Sequence, residues 1–247
     1  MSNVIAWGAN DIGQCNVPPD LFAIQVSTNS SDQSWTAFSL ALCEDGSVRA
    51  WGCNSNHQCD VPADLDDVIQ VSAGSAHSLA LCEDGSVRAW GYNDDGECNV
   101  PPGLVATQVS AGALHSLALC EDGSVRAWGY NNLGQCNVPP GLVATQVSAG
   151  SVHSLALCED GSVMGWGECG VPADLDDVIQ VSAGRFHSLA LCRNGSVRAW
   201  GETGYGQSNV PRGLVATQVS SKGRTLSLAI GSVQSRRRRA AWLNLEK

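Results

Sequence analysis

Charged residues, large aromatic side chains and long apolar runs are all scarce in this sequence of 247 residues. Only 15% of the residues are charged and 6% are aromatic. No apolar run approaches the roughly eighteen residues of a membrane-spanning helix, and the first ten residues lack the basic and apolar regions of a secretory signal. We therefore expect neither a membrane segment nor secretion, and a cytoplasmic location for the protein.

Negative charge dominates most of the chain. Residues 231–247 hold five basic residues against one acidic residue, so residues 1–230 carry −14 although the whole chain carries −10. An acidic body repels phosphate backbones, which disfavours nucleic-acid binding. We expect a folded domain over residues 1–230 and a poorly ordered basic tail over 231–247. The run Arg236–Arg239 is a nuclear-targeting segment, a segment that binds an acidic partner, or part of the ragged end of a longer reading frame.

Internal repeats organise almost the whole chain. A tryptophan followed by glycine recurs at steps of 44, 39, 38, 38 and 34 residues, and long stretches between these pairs are nearly identical. No segment shows the 3.6-residue periodicity of a helix, so the fold class should be all-β. The six tryptophans are Trp7, Trp51, Trp90, Trp128, Trp166 and Trp200.

Each repeat contains three short strands. In one unit "IQVSAG" and "HSLALC" alternate as strands do, and Asp84 and Gly85 then mark a hairpin turn before "VRAWG". The stretch that follows is loop-like, because Pro101 and Pro102 cannot lie in a central strand.

The turn also predicts a register for the hairpin. Closing it at the Asp-Gly pair sets Leu81 opposite Arg88 and Leu79 opposite Trp90. One face is then bulky and the other is small, so that copies can stack large face into small face. The bulky face carries His77, Leu79, Leu81, Arg88 and Trp90, and the small face carries Ser78, Ala80, Cys82, Val87 and Ala89.

The two ends of the chain predict how the repeats are arranged. Val4–Trp7 looks like a third strand without partners, and residues 219–230 look like a first and second strand without a third. Pairing Val4–Trp7 with Leu226–Ile230 would close a ring and remove exposed sheet edges. We predict a closed β-propeller of about six blades, each with three to four antiparallel strands. An open solenoid is the alternative, and it would leave both half-blades unpaired.

The consensus "VSAGxxHSLALCEDGSVRAWGxNxxGQ" resembles the repeat of the regulator-of-chromosome-condensation family. The resemblance covers roughly Val4 to Ile230. The units are shorter than the usual repeat of this family, and their number is one fewer than is common in it. In their shortness they are closer to the β-lactamase-inhibitory propeller of the same superfamily. Members include an exchange factor for the small GTPase Ran, HERC-type ubiquitin-ligase recognition domains, a plant UV-B receptor and enzyme inhibitors. The resemblance implies a rigid propeller that binds another protein by its rim.

The repeated histidines and carboxylates invite a catalytic or metal-binding interpretation, which we reject. Equivalent histidines on neighbouring blades lie too far apart for metal–nitrogen distances of about 2.0–2.1 Å, so we expect structural histidines that bond to the backbone. The Glu-Asp pairs lie in hairpins, where Asp tolerates left-handed geometry. We therefore predict no catalytic, cofactor or metal site. The histidines are His77, His115, His153 and His187.

Cysteine, tryptophan and arginine also receive structural interpretations. Without a secretion signal or any C-x-x-C motif, the eleven cysteines should be free thiols. One tryptophan per blade should be core packing. Each repeated arginine, such as Arg88, should lie along its tryptophan with the guanidinium towards an acid.

Candidate binding residues lie where the repeats differ. Arg185 and Phe186 occupy a turn position that varies between repeats, and Trp35 lies in a longer first-unit loop, either as an exposed anchor or packed under that loop. Tyr92, Tyr130 and Tyr205 follow Trp-Gly pairs and could line a second contact surface.

The leading interpretation is a monomeric, non-enzymatic propeller that binds another protein through rim loops, with a ubiquitin-ligase-type recognition module as one form of it. Guanine-nucleotide exchange on a small GTPase and inhibition of an enzyme are the alternatives.

Overall fold

The computed structural model describes residues 2–7, 10–29, 36–221 and 227–233. In these ranges seventeen strands form five three-stranded antiparallel sheets and a last sheet of two strands, which confirms the all-β class. No helix in the described ranges is long and apolar enough to cross a membrane. The strands of the first three sheets are β1 (Ala23–Thr28), β2 (Phe38–Cys43), β3 (Val48–Gly52), β4 (Val68–Ala73), β5 (His77–Cys82), β6 (Val87–Gly91), β7 (Gln108–Ala111), β8 (His115–Leu119) and β9 (Val125–Gly129). The remaining strands are β10 (Gln146–Ala149), β11 (His153–Leu157), β12 (Val163–Gly167), β13 (Val178–Ala183), β14 (His187–Cys192), β15 (Val197–Gly201), β16 (Leu214–Ser220) and β17 (Leu228–Val233).

The hairpin register differs by one residue from the predicted one. In the second sheet Leu81 lies opposite Val87 and Ser78 lies opposite Trp90. The turn explains the shift, because the Cys82 N–H donates to the Ser86 carbonyl at 2.9 Å and so sets Cys82 opposite Ser86 instead of Val87. Gly85 takes the left-handed conformation at φ +81°, which lets the chain reverse there without a Cβ clash.

This register moves Trp90 and Arg88 to the face of Ser78 and Ala80, so the predicted bulky face is wrong for these two side chains. The predicted small face is wrong for Val87 and Ala89, which lie opposite Leu81 and Leu79. The physical reason is that an alanine leaves room on its own face. The bulky indole fills that room, whereas beside Leu79 it would crowd the sheet.

Neighbouring sheets still pack large residues of one second strand against small residues of the next. Leu79 and Leu81 of the second sheet join one buried cluster with Ala118 and Trp128 of the third sheet. The same arrangement recurs at the joints of the first and second, third and fourth, and fourth and fifth sheets. Stacking of repeats therefore buries both faces of each internal sheet, and this burial is the main apolar contribution to stability.

Side-chain hydrogen bonds also join the first strands of neighbouring sheets. The Gln70 Oε1 accepts from the Val109 N–H at 2.9 Å, and the Gln70 Nε2 donates to the Val109 carbonyl at 3.2 Å. Ser72 Oγ accepts from the Ala111 N–H at 3.0 Å. Because the first strands do not form a ladder with each other, the Gln and Ser of "QVSAG" satisfy their backbone groups instead.

The two ends of the row of sheets have uncovered apolar faces. Val26 is 53% exposed, whereas its equivalent Val71 is 1% exposed. On the last sheet Leu228 is 56% exposed, although its counterparts in the internal sheets are buried. Each internal equivalent is covered by the next sheet, and nothing in the described ranges covers these end faces.

The predicted closing pair of strands is not formed in the described part of the chain. Residues 4–7 form no strand, β17 pairs there only with β16, and Leu226 lies outside the described residues. Ring closure, a fourth strand and the count of six blades stay predictions. β17 runs to Val233, beyond the predicted domain end at residue 230.

Candidate functional site

The turns between first and second strands lie together at one end of the sheets, which we call the turn end. The Gly112 N–H donates to the His115 carbonyl at 2.8 Å and closes the turn of the third sheet. Consecutive turns are then joined, because the Ala113 N–H donates to the Gly150 carbonyl at 3.0 Å. The residue pairs that differ between repeats are therefore held side by side.

Each turn histidine is a structural link between sheets. The Nε2 of His115 lies 2.9 Å from Ser154 Oγ of the next sheet. Ser154 donates its own hydrogen to the Gln135 carbonyl at 2.9 Å, so Nε2 is the donor to the serine. We expected each histidine to bond to the backbone directly. The structure shows that it bonds to a serine hydroxyl, which in turn bonds to a backbone carbonyl. Burial, and then the charge of His187, lower the pKa of His153 to about 4, which keeps that ring neutral at physiological pH.

The variable pairs surround a cavity of about 360 Å³ at the turn end, which we call the turn-end cavity. Two tyrosines from the loops after Trp-Gly also line it, because the Tyr92 N–H donates to the Ala76 carbonyl at 2.9 Å and the Tyr130 N–H donates to the Leu114 carbonyl at 2.8 Å. The lining residues are Thr36, Asn56, Ser75, Ala76, Tyr92, Ala113, Leu114, Tyr130, Ser151, Val152, Arg185 and Phe186.

The chemistry of the turn-end cavity is apolar and aromatic with one cation. The Arg185 guanidinium lies 5.0 Å from the centre of the Phe186 ring, within the range of a cation–π contact. Burial, and then the charge of Asp94, raise the pKa of Tyr92, so its phenol remains a neutral donor. Such a cavity can accept an apolar side chain and orient it by a few polar contacts.

The structure brings four of the six sequence-predicted binding residues together. Arg185, Phe186, Tyr92 and Tyr130 line the turn-end cavity. Tyr205 lines a different cavity, beside the last sheet, and Trp35 lies outside the described residues. Sequence reasoning missed Asn56 as a lining residue. Its signal was its position in the loop after Trp-Gly, where the repeats also differ.

The opposite end of the sheets, which we call the hairpin end, carries the acidic hairpins. Asp84 Oδ1 accepts from the Ser86 N–H at 2.8 Å, and the hydrogen bonds from Ser86 lower the pKa of Asp84. The expected reason for this aspartate is therefore corrected, since the neighbouring Gly85 and not Asp84 takes the left-handed conformation. The hairpin carboxylates stabilise turns and face solvent.

The predicted contact of the repeated arginine with an acid is confirmed in two sheets. The Arg88 guanidinium donates to Asp64 at 3.0 Å, and Arg198 donates to Asp174 at 3.0 Å. Both pairs are largely exposed, so each contributes little to stability.

Thiols and metal ligands also lack a reactive arrangement in the described ranges. The eleven cysteines are free. Burial raises the pKa of the Cys98 thiol to about 12 and of the Cys136 thiol to about 11, so both are protonated and poorly nucleophilic. No group of three or more His, Cys, Asp or Glu residues in those ranges could hold a metal ion.

Glu97 is a buried carboxyl group at a position where other repeats have glutamine. Its Oε2 accepts from the Asp95 N–H at 3.0 Å, whereas its buried Oε1 has no partner among the described residues. Burial raises the pKa of Glu97 above its ordinary value of 4.5. Its carbonyl accepts from Trp128 Nε1 at 2.8 Å and from Ser116 Oγ at 2.9 Å, so it lies at a joint.

Replacing this carboxyl by an amide, Glu97→Gln, is expected to raise the free energy of unfolding at pH 7 by about 1 kcal/mol, because a buried charge is removed. The raised pKa means that the folded state binds the proton more tightly than the unfolded state. The wild-type chain therefore gains stability as the pH falls through the folded pKa, and the advantage of the variant is smallest below pH 4.5.

Urea denaturation at several pH values measures this effect. The matched control is Gln135→Glu, the reverse change at the equivalent position, which should destabilise the protein at pH 7. Equal stability of wild type and Glu97→Gln at every pH would contradict the prediction.

Comparison with known repeats decides the family. The profile of the regulator of chromosome condensation (RCC1) repeat matches residues 36–58, 68–97, 106–135, 144–168 and 178–207, which is more than half of the chain. The chain belongs to the RCC1 repeat family. Four of the five RCC1 repeats end on the buried glutamine or glutamate whose carbonyl lies at a joint. A search of curated proteins found no match.

Solved structures show the fold of these RCC1 repeats. Prp20p from Saccharomyces cerevisiae is similar with a TM-score of 0.74 and 20% identity, over 93% of this chain and 78% of that chain. The CRINKLY WD40 ectodomain of the Arabidopsis thaliana receptor kinase ACR4 gives a TM-score of 0.72 and 22% identity, over 94% and 86%. Human WBSCR16 gives 0.69 and 20%, over 87% and 72%. The repeated three-stranded sheets are thus those of an RCC1-like propeller.

Proposed function

We propose that this protein is a non-enzymatic scaffold that binds a partner protein in the turn-end cavity. The observation that carries the proposal is the location of the variable residues. The repeats are nearly literal copies elsewhere, yet the positions of Arg185 and Phe186 and the position that Tyr92 and Tyr130 share vary between repeats, and these four side chains meet around one cavity. Aromatic and arginine side chains are the usual anchors of protein interfaces.

The relatives support a protein as the partner. Prp20p is described by its binding to Gsp1p and histones, and yeast RCC1 (Prp20) also has a structure bound to Kap60. Catalysis would need a nucleophile, a base and an orienting group around one point. The buried histidines face serines of the next sheet and the repeated Glu-Asp pairs lie in hairpins at the other end, which supports a binding function.

The finer architecture that we propose is a closed ring of six blades. Asn3 supports it, because its N–H donates to the Leu21 carbonyl at 3.1 Å and its Oδ1 accepts from the Ala23 N–H at 2.9 Å. Ala106 is the equivalent of Ala23 at an internal joint, and its N–H donates to the Gly85 carbonyl of the preceding sheet. The N-terminal segment thus lies beside the first sheet where the preceding blade of a ring would lie.

Exchanging residues between repeats tests the binding surface. A variant with Arg185→Ser and Phe186→Val carries the pair of the fourth sheet, which the fold already accepts. We expect this variant to bind the partner about tenfold or more weakly, because it loses the aromatic ring and the cation. Partners are recovered by affinity purification on the intact chain, and the dissociation constant of each purified partner is then measured.

The matched control is Arg193→Glu with Asn194→Asp, which restores the common hairpin sequence at the opposite end of the same sheet. It should bind like the wild-type chain. Equal weakening by both variants would mean a general effect on the fold, and no weakening by the first variant would rule out the turn-end cavity.

A further inference from the structure

A second cavity, of about 320 Å³, lies between the fifth sheet and β17. Leucine and valine side chains form its walls, and Gln207 lies at its end. The residues that matter are Leu189, Val197, Val210, Leu214, Gln207 and Ser227. We call it the end slot.

The end slot has the walls of the tryptophan sites at the internal joints. At the joint of the second and third sheets, Trp128 packs in one cluster with Leu79, Val87, Val100 and Leu104. These four positions correspond in the repeat to Leu189, Val197, Val210 and Leu214, the walls of the end slot.

The polar end of the end slot also corresponds to the polar end of the internal tryptophan site. In the internal site the Glu97 carbonyl accepts from Ser116 Oγ and from the indole N–H of Trp128. In the end slot the Gln207 carbonyl accepts from Ser227 Oγ at 2.7 Å. A carbonyl has two lone pairs, so the end slot offers the acceptor that an indole uses elsewhere.

One repeated tryptophan has no such site. Trp51, Trp90, Trp128 and Trp166 each donate to the carbonyl of a Gln or Glu of the preceding repeat, and Trp200 packs in the joint of the fourth and fifth sheets. Trp7 is 85% exposed, a costly state for an indole in water.

The N-terminal segment already lies at the right joint. Gln14, in the loop after Trp7, accepts at its carbonyl from Trp51 Nε1 at 3.0 Å and from Ser39 Oγ at 3.4 Å of the first sheet. This is how the loop of each preceding blade holds the next sheet. Only the pairing of residues 4–7 with β17 is missing.

We infer that the end slot is the binding site of Trp7, which enters it when Val4–Trp7 adds as an antiparallel strand to β17. The repeat register sets Trp7 opposite Ser227, Ile5 opposite Ala229 and Val4 opposite Ile230. The strand and its tryptophan form a latch on the joint. The inference rests on the closed ring proposed above, and it assigns that ring its closing contact.

Disulfide cross-linking in the full chain tests the register. Opposite residues in a sheet have Cβ atoms about 4.5–5.5 Å apart, so Ile5→Cys with Ala229→Cys should form a disulfide within one chain under mild oxidation, located by peptide mass spectrometry. The control pair Ile5→Cys with Leu228→Cys places the thiols on opposite faces and should not react. A disulfide between two chains, or no disulfide, would overturn the inference.

A second measurement reads the tryptophan itself. Trp7→Ala should lower the Tm by about 6 °C or more, because a filled apolar site is emptied, and Trp7→Phe should lower it less. An unchanged Tm for Trp7→Ala would mean that Trp7 stays on the surface. Neither measurement depends on the partner, so failure of the latch and failure of the turn-end cavity can be told apart.

Discussion

Replacing Trp128 by alanine is expected to lower the free energy of unfolding by about 3–5 kcal/mol. The indole packs at a joint against Leu79, Leu81 and Val87 and donates its N–H to the Glu97 carbonyl at 2.8 Å. Its removal leaves a cavity between two sheets, and neither backbone can collapse into it because both are held by ladders and by Gln and Ser links. Urea or thermal unfolding of the pure protein measures the loss.

Trp128→Phe is the matched control, because it keeps an aromatic ring and removes the indole N–H. Its expected cost is smaller, about 1–2 kcal/mol, since the Glu97 carbonyl still accepts from Ser116. Equal costs for the alanine and phenylalanine variants would show that the hydrogen bond, and not packing, carries the contribution. A cost below about 1 kcal/mol for alanine would contradict the packing role itself.

Substitution of the glycine after this tryptophan should destabilise the protein about as much. Gly129 has φ +101°, and a Cβ there would lie 2.7 Å from the Leu114 carbonyl oxygen and 2.9 Å from His115 Cα. Both obstacles are backbone atoms of the turn that forms the turn-end cavity. Gly129→Ala therefore combines backbone strain with a clash that side-chain rotation cannot relieve, and we expect a loss of about 3 kcal/mol or more.

The control for this prediction is Gly141→Ala in the following loop. Gly141 has a similar φ of +75°, but a Cβ there meets nothing within 4 Å. Its substitution tests strain alone, with an expected cost of about 1 kcal/mol. If the two variants lose the same stability by thermal unfolding, the close contact at Gly129 is without effect.

Both positions connect stability to the proposed function. Trp128 and Gly129 lie directly before Tyr130 in the chain, and the Tyr130 N–H donates to the Leu114 carbonyl, the atom that a Cβ at Gly129 would strike. The contacts that hold the joint therefore also position two lining residues of the turn-end cavity. Small losses of packing there are expected to weaken partner binding before the domain unfolds.

Local patterns predicted much of this protein. The six Trp-Gly units, the strand alternation and the Asp-Gly turn led to an all-β repeat fold, and the differences between copies led to Arg185 and Phe186. The register could not be predicted, because a slip of one residue keeps the same alternation and is decided by the bond between Cys82 and Ser86. Alternation alone placed Trp90 on the wrong face for that reason.

Functional grouping was predicted only in part. Tyr92 and Tyr130 directly follow Trp-Gly, whereas Tyr205 lies three residues further along its loop, at the position of Asn56, yet the sequence offered all three as one contact surface. Their separation depends on which sheet lies next to each: Tyr92 and Tyr130 face other turns, whereas Tyr205 lies beside the end slot. The hydrogen bonds made by the Gln and Ser of "QVSAG" could not be predicted from the sequence either, because their partners belong to the next repeat.

The sequence by itself determined the repeat unit, its strands and the positions at which the copies differ, because turn geometry and side-chain alternation are local properties of the chain. Only the tertiary structure decided which faces meet, which tyrosines share the turn-end cavity, and that a tryptophan site stands beside β17. Those features arise between repeats, from packing and hydrogen bonds across joints that no single copy contains.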